Sequence, residues 1–341
     1  MTKKNKFKSK QFKKLKKRQR QRHIAMAVII AIFLLIAFGI YTIVFPMIRN
    51  FQKKETATTA KKVTTVAKKV TTTEKNWYDY NAIAHALGGI DGHDYTNSKE
   101  AFEASIKNGF HIFEVDLLQT TDNVLVARHT WGEDLADPLS KGDDNRVSYD
   151  TFKKTKLYGK YTPLSLEDIF NIMDKHPDIY VMTDTKDGGY AASVSDAKII
   201  VQTAKKMGKE KLLDRLIIQI YNENMLRAVR SQYDFKHVLY TTYKQSDLAF
   251  SQMINFCKSN QVEAVTVPQK SVNDYRMKLL EDANLKSFTH TVNNTYLVEQ
   301  YMLLGVYGIY TDFVSSSDIR ETYLNLQSDK LVKEYSDALT K

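Results

Sequence analysis

Cysteine occurs once in the 341 residues, at Cys257, which excludes an internal disulfide framework and any zinc or iron–sulfur centre built on several thiolates. Proline and glycine are scarce too, at 5 and 13 residues, while Tyr and Phe number 20 and 16. A disordered or fibrous chain has the reverse balance. Acidic residues are missing from the first 23 positions, which hold nine lysines and three arginines. Residues 49–75 add Arg49 and seven lysines against Glu55 and Glu74. The whole chain is only +11, so residues 76–341 are net −7. The basic pI belongs to the N-terminal quarter alone, and no nucleic-acid partner is expected for the acidic remainder.

Charge of either sign is absent from residues 24–45, a run of 22 residues reading IAMAVIIAIFLLIAFGIYTIVF. As a helix this run is ~33 Å long, enough for a hydrocarbon core of about 30 Å. It is longer than a typical signal-peptide core and ends in Phe45-Pro46 without a small-residue cleavage site. The expectation is an uncleaved transmembrane helix. The positive flank keeps residues 1–23 cytoplasmic and sends the C-terminal side outward. Residues 46–76 repeat a Thr/Lys theme (TTAKKV, TTVAKKV, TTTEK) with no core-forming pattern. They are read as a flexible stalk spanning roughly 25–30 Å.

From residue 77 onward short β-rich runs alternate with helical patterns. Strands are predicted at 82–86, 111–118, 124–129, 179–186, 216–221, 237–242, 264–268, 287–292 and 308–312. Helices are predicted at 98–108, 165–175, 194–207, 223–231, 246–260, 272–283 and 295–304. About eight β/α alternations fit a TIM-type (β/α)8 barrel over 77–341. The alternative, a doubly wound sheet, calls for a glycine-rich phosphate loop after the first strand, and Gly88-Gly89 is not one.

In FHIFEVDLL (110–118), alternate residues share a face, which sets Ile112, Glu114 and Asp116 against Phe113, Val115 and Leu117. The apolar set suits packing against helices. The other set places two carboxylates inside the barrel about 7 Å apart along the strand. Buried like charges call for a counter-charge, either a divalent cation or a salt-bridge partner. If Asp122 and Asn123 form a two-residue turn, Asp116 falls opposite His129 on one face. His85 ends the first strand, and Asp184 and Lys186 share a face of the fourth. At the C-terminal ends of barrel strands such groups converge. Two histidines, three carboxylates and a lysine match phosphodiester cleavage: a cation for phosphate oxygens, a base, an acid and a fixed positive charge.

The stretch IAHALGG…TNSKEAFEASIKNGFHIFEVDLLQTTDNVLVARH resembles the opening of the glycerophosphodiester phosphodiesterase family, and the likeness continues through TPLSLEDIF, Asp184-x-Lys186, HTVNN and GIYTDF. The resemblance implies a TIM-type barrel similar to bacterial phosphatidylinositol phospholipase C, with Ca²⁺ or Mg²⁺ as cofactor. It implies His85 and His129 as the acid/base pair, Glu114, Asp116 and Asp184 as metal ligands, and Lys186 as a phosphate contact. Three positions depart from the family pattern. Ala86 replaces a phosphate-binding Arg, Thr96 a Glu, and Thr130 an Asp. Arg128 is expected to face away from the pocket and so not to replace the missing Arg. His290 is placed on the pocket face as a substrate contact, with a packed core histidine as the alternative. Trp131 is expected to wall the pocket, His93 to come within reach of it, and Cys257 to lie in the core.

The function expected is a membrane-anchored, metal-dependent phosphodiester hydrolase with its barrel outside the cell, acting on glycerophosphodiesters or on glycerol-phosphate-containing lipids or polymers. Action directly on bilayer lipids would further require an apolar rim at the barrel mouth. The alternative from another class is a catalytically silent barrel that binds envelope phosphate polymers, motivated by Ala86 and Thr130.

Overall fold

The computed structural model describes residues 75–339 apart from 133, 140–145 and 187–188. The basic segment 1–23, the apolar segment 24–45 and nearly all of the stalk 46–76 lie outside the described residues. Among those described, no helix is long and apolar enough to cross a membrane.

Eight parallel strands form the core: β1 (Ala82–Ala84), β2 (Ile112–Gln119), β4 (Tyr180–Thr185), β5 (Leu216–Ile220), β6 (His237–Thr241), β7 (Ala264–Pro268), β8 (Lys286–His290) and β9 (Gly308–Thr311). They run in the order β1–β9–β8–β7–β6–β5–β4–β2, and β2 pairs back onto β1, so the sheet closes. Helices cover its outer face. They include α1 (Lys99–Lys107), α3 (Leu166–Lys175), α4 (Tyr190–Lys206), α5 (Glu223–Arg230), α6 (Asp247–Ser259), α7 (Asp274–Asp282) and α8 (Thr295–Leu303). The caps follow from sequence. Ser98 Oγ accepts from Ala101 N–H at 3.2 Å to start α1. Ser165 and Asp168 exchange hydrogen bonds to start α3, leaving Ile169, Phe170 and Met173 on its buried face. Phe113, Val115 and Leu117 of β2 join this outer core, as their alternation required.

Inside the ring each barrel strand contributes one apolar side chain: Ile83, Ile112, Met182, Ile217, Leu239, Ala264, Phe288 and Tyr310. Trp77, in the 3-10 turn Trp77–Asp79, plugs this layer from the N-terminal end. It stacks on Phe288 (centroids 5.9 Å) and donates from Nε1 to Glu263 at 2.6 Å. Because side chains alternate with period 2, the next inward position on every strand lies two residues further on. Those positions are His85, Glu114, Asp184, Gln219, Thr241, Thr266, His290 and Asp312. The apolar plug therefore forms the floor of a polar layer at the C-terminal mouth.

The structure corrects two expectations, the register of the hairpin after β2 and the number of helices. β3 (Leu125–Ala127) pairs antiparallel with the outer part of β2, as that hairpin required, and Leu117 faces Ala127. This register puts Arg128 opposite Asp116, with the Arg128 N–H donating to the Asp116 carbonyl at 3.0 Å. His129 is therefore not the cross-strand partner of Asp116. The loop contains three residues, 121–123: Asn123 has φ +60° and Thr120 N–H donates to the Val124 carbonyl. One extra loop residue shifts the register by one, which exchanges faces. Two helices were also missed, α2 (Tyr149–Lys154) and the long α9 (Ser316–Leu339).

Candidate active site

β2 delivers Glu114 and Asp116, and β4 delivers Asp184. These strands are neighbours in register, with Asp116 beside Asp184, so the three carboxyl groups meet without any loop having to fold over. All three are buried, and one oxygen from each lies within 4.8 Å of the others. At that spacing two charges repel by about 3–4 kcal/mol in an effective dielectric near 20. Lys186, just past β4, brings its ammonium to both Asp116 and Asp184. Tyr221 donates its hydroxyl to Asp184. Asn97 clasps Asp116 from both sides: its Nδ2 donates to Oδ2 at 2.8 Å, and its Oδ1 accepts from the Asp116 N–H at 3.1 Å.

His85 sits where β1 turns out of the barrel, and its Nδ1 hydrogen-bonds Asp312 at 2.8 Å. The turn is tight. Ala86, Leu87 and Gly88 all have positive φ (47°, 67° and 99°), and a Cβ on Gly88 would lie 2.0 Å from Ser105 Oγ. The turn aims the Ala86 N–H at Glu114 Oε2, 2.7 Å away. His129 arrives from the segment after β3. Between the two histidines stands Tyr95, whose ring centroid is 4.7 Å from each imidazole. A cavity of about 110 Å³ opens among His85, Tyr95, Glu114, His129, Asp184, Lys186 and His290. A larger cleft of about 370 Å³ lies at the opposite end, lined by Lys75, Arg320 and Tyr323. It holds none of these groups, so the chemistry belongs to the smaller cavity.

Electrostatics separate the two histidines. Burial would lower the His85 pKa, but its hydrogen bond to Asp312 and the charges of Glu114, Asp312 and Asp116 outweigh burial and raise it to about 9. For His129 the balance runs the other way. Desolvation, with the positive charge of Lys186, keeps its pKa below 6.5 despite Asp116 and Asp184. Burial and the neighbouring Asp116 push the Glu114 carboxyl up to about 8. Asp116, equally buried, is held low by Lys186 and the two histidines. Four carboxylates here (Glu114, Asp116, Asp184, Asp312) face two cations, Lys186 and protonated His85. The surplus is two negative charges, and Glu114 relieves part of it by holding a proton. Hard oxygen donors with a surplus of two negative charges suit a divalent cation of the Ca²⁺ or Mg²⁺ kind.

His290 lines the cavity as expected. Its Nε2 is buried without a hydrogen-bond partner among the described residues, and burial, with the charges of His85 and Lys186, drops its pKa to about 4. Trp131 does not wall the pocket. It is buried with Val126, Leu139 and Phe152, its ring edge-on to Phe152, because an indole gains most where its whole face leaves water. His93 stacks on Tyr158 instead of reaching the cavity. Arg128 is buried and paired with Asp137 at 2.8 Å, and its Nε donates to the Thr130 carbonyl, so it does not stand in for the missing Arg at 86. Thr96 is buried and shares a hydrogen bond with Ser98 at 3.0 Å. Cys257 is buried in the core.

Sequence reasoning did not assign Asp312, Tyr95, Tyr221 or Gln219 to the site. Asp312 and Gln219 were within reach of the period-2 rule, two residues beyond Tyr310 and Ile217. Tyr95 lies in a loop, where no periodicity operates.

A sequence model described as the glycerophosphoryl diester phosphodiesterase family matches residues 90–316. A glycerophosphodiester phosphodiesterase of Bacillus subtilis (strain 168) is 24% identical over 247 residues, covering 68% of this chain and 83% of its own. Among solved structures, a glycerophosphodiester phosphodiesterase from Parabacteroides distasonis is similar in fold, with TM-score 0.57, 22% identity, and coverage of 74% of this chain and 98% of its own. An Oleispira antarctica phosphodiesterase, solved with its product sn-glycerol-3-phosphate, gives TM-score 0.57 at 13% identity, covering 71% of this chain and 96% of its own.

Proposed function

The chain belongs to the glycerophosphoryl diester phosphodiesterase family of phosphoric diester hydrolases, and from that premise we propose that it cleaves glycerophosphodiesters by histidine acid/base catalysis beside a Ca²⁺ or Mg²⁺ ion. The observation that carries this reading is the convergence of Glu114, Asp116 and Asp184 within 4.8 Å of one another, next to two imidazoles.

The surplus negative charge and the donor chemistry of the three carboxylates fit a divalent cation, and those residues would hold it. When bound, the ion supplies Lewis-acid stabilisation of phosphate oxygens. His129, neutral at pH 7 because its pKa is lowered, takes the proton from the glycerol hydroxyl next to the phosphate. The hydroxyl oxygen forms a bond to phosphorus as the P–O bond to the leaving alcohol breaks. His85, protonated at pH 7 because of Asp312, gives its proton to that leaving oxygen. In the second half the roles reverse. His85 takes a proton from water, whose oxygen attacks the cyclic phosphate, and His129 returns its proton to the freed glycerol oxygen. Oppositely shifted histidines are the arrangement such an exchange needs. Lys186 neutralises charge developing on the phosphate, and His290 offers an unengaged nitrogen to the substrate.

The apolar run 24–45 and its basic flank support an uncleaved membrane anchor, with the barrel on the outer side and its substrate among envelope glycerophosphodiesters, lipids or polymers. Ala86 and Thr130, departures from the family pattern, favour a second reading as a silent binding barrel. Release of glycerol phosphate from simple diesters, with Ca²⁺ or Mg²⁺ and then with chelator, separates the two. The hydrolase reading expects chelator-sensitive turnover that a Glu114→Ala/His129→Ala double variant lacks. Equal null rates for wild type and variant would establish the silent barrel.

A further inference from the structure

The large apolar side chains that remain exposed are distributed unevenly between the two ends of the barrel. Among the described residues, Tyr243 (two residues past β6), Leu248 (first turn of α6), Tyr275 (first turn of α7), Tyr296 and Leu297 (first turn of α8) and Phe313 (two past β9) are all exposed, Leu248 at 71% and Tyr296 at 64%. Each follows the C-terminal end of a strand, and β6, β7, β8 and β9 are consecutive neighbours in the ring. Together they form one arc along the mouth. At the opposite end the turn between α8 and β9 exposes Leu303 and Leu304, and the others exposed on the C-terminal helix are Leu324, Leu331 and Val332. The arc is continuous with the catalytic cavity, since Tyr243 both lines that cavity and stacks on Tyr221, the residue bonded to Asp184.

The loops after β6 and β7 carry charge of both signs with a small positive excess. Lys244 and Lys270 stand exposed in the same loops. Of the acids there, Asp247 is paired with Arg276 at 2.9 Å, leaving Asp274 against the two lysines. This is a local reversal in a folded part that is net −7. Exposed Leu and Tyr interleaved with Lys match a surface of acyl chains under anionic headgroups. The aliphatic Leu248 and Leu297 have no use in stacking on a polar polymer. Twenty-nine residues, 46–74, separate the apolar run from the first described residue, Lys75, which lies two residues before Trp77 of the plug.

We propose that this arc is a bilayer-docking rim, and that the diesters reaching the site are glycerolipids presented at an anionic lipid surface. The second half of this proposal rests on the hydrolase reading above; the docking half does not.

The test uses the full chain reconstituted in vesicles. In a Leu248→Trp variant, the added fluorescence is expected to be quenched by phosphatidylglycerol carrying brominated acyl chains and much less by the phosphatidylcholine equivalent, with turnover of a soluble glycerophosphodiester unchanged. The absence of quenching in anionic vesicles overturns the proposal. A Leu248→Ser/Tyr275→Ser/Tyr296→Ser variant is expected to lose ~tenfold or more of its rate on a vesicle-borne glycerolipid while keeping its rate on the soluble diester. Equal loss on both, or loss on a soluble glycerol-phosphate polymer without any quenching, overturns it. If wild type cleaves no diester at all, the hydrolase reading fails, and quenching alone still decides the docking.

Discussion

Asp312 sets the protonation of His85. Replacing it with Asn keeps a hydrogen-bonding group near Nδ1 but removes the charge, so the His85 pKa falls from about 9. An Asp312→Asn enzyme is expected to lose about 10- to 100-fold in kcat with little change in KM. The alkaline limb of its kcat–pH profile should move to lower pH, because the acid deprotonates earlier. An unmoved limb would contradict the assignment of His85 as acid. At Glu114 the effects on activity and stability should diverge. Glu114→Gln removes one of three crowded carboxyl groups and retains an acceptor for the Ala86 N–H. Turnover should fall at least ~100-fold, while the melting temperature without metal holds or rises. Glu114, Asp116 and Asp184 were legible in the sequence because strand alternation assigns faces. Asp312 was within reach of the same alternation, two residues beyond Tyr310, but only the closed ring shows its carboxylate beside His85.

Secondary-structure elements carry these residues to the mouth by a simple rule. Each barrel strand offers an apolar residue to the plugged layer and, two residues on, a polar one to the cavity. The rule was readable wherever a strand was recognised, from Ile112/Glu114 and Met182/Asp184 through to Phe288/His290. It failed at the β2–β3 hairpin, where register depends on whether the loop holds two residues or three, and Asn123 in the left-handed region decides for three. It also said nothing of the segment after β3, whose course is set by the buried Arg128–Asp137 pair. Arg128 directly precedes His129 in the chain. Asp137→Ala strands a buried guanidinium and should destabilise the protein by roughly 3 kcal/mol in denaturant unfolding, with kcat falling as His129 loses its support. A variant with wild-type stability would show the pair to be dispensable.

At the scale of the whole molecule, site electrostatics become a stability profile. His85 and Glu114 both have folded pKa values raised, to about 9 and about 8. A raised value stabilises fully below the unfolded pKa and loses that contribution as pH rises through the folded one. For His85 the amount is on the order of 3 kcal/mol, lost between about pH 6.5 and 9. His129 and His290 are shifted the other way and act only below about pH 6.5, outside this window. Metal-free protein should therefore melt progressively lower from pH 6.5 to 9. Added Ca²⁺ or Mg²⁺ should restore more stability at pH 8.5 than at pH 6, because at the higher pH no proton need leave Glu114. A metal effect independent of pH in differential scanning calorimetry would exclude Glu114 as a ligand. The barrel itself was visible in the β/α alternation from residue 77 onward. The uneven distribution of exposed apolar residues toward its mouth was not, since exposure emerges only when the ring closes and each loop is assigned an end.

The most direct measurement is an anomalous difference map from a crystal soaked in Mn²⁺. The expected result is a peak bounded by carboxylate oxygens of Glu114, Asp116 and Asp184, with the Lys186 ammonium displaced from its present position between Asp116 and Asp184. A map with no peak there, while Lys186 keeps its place between Asp116 and Asp184, would contradict the account.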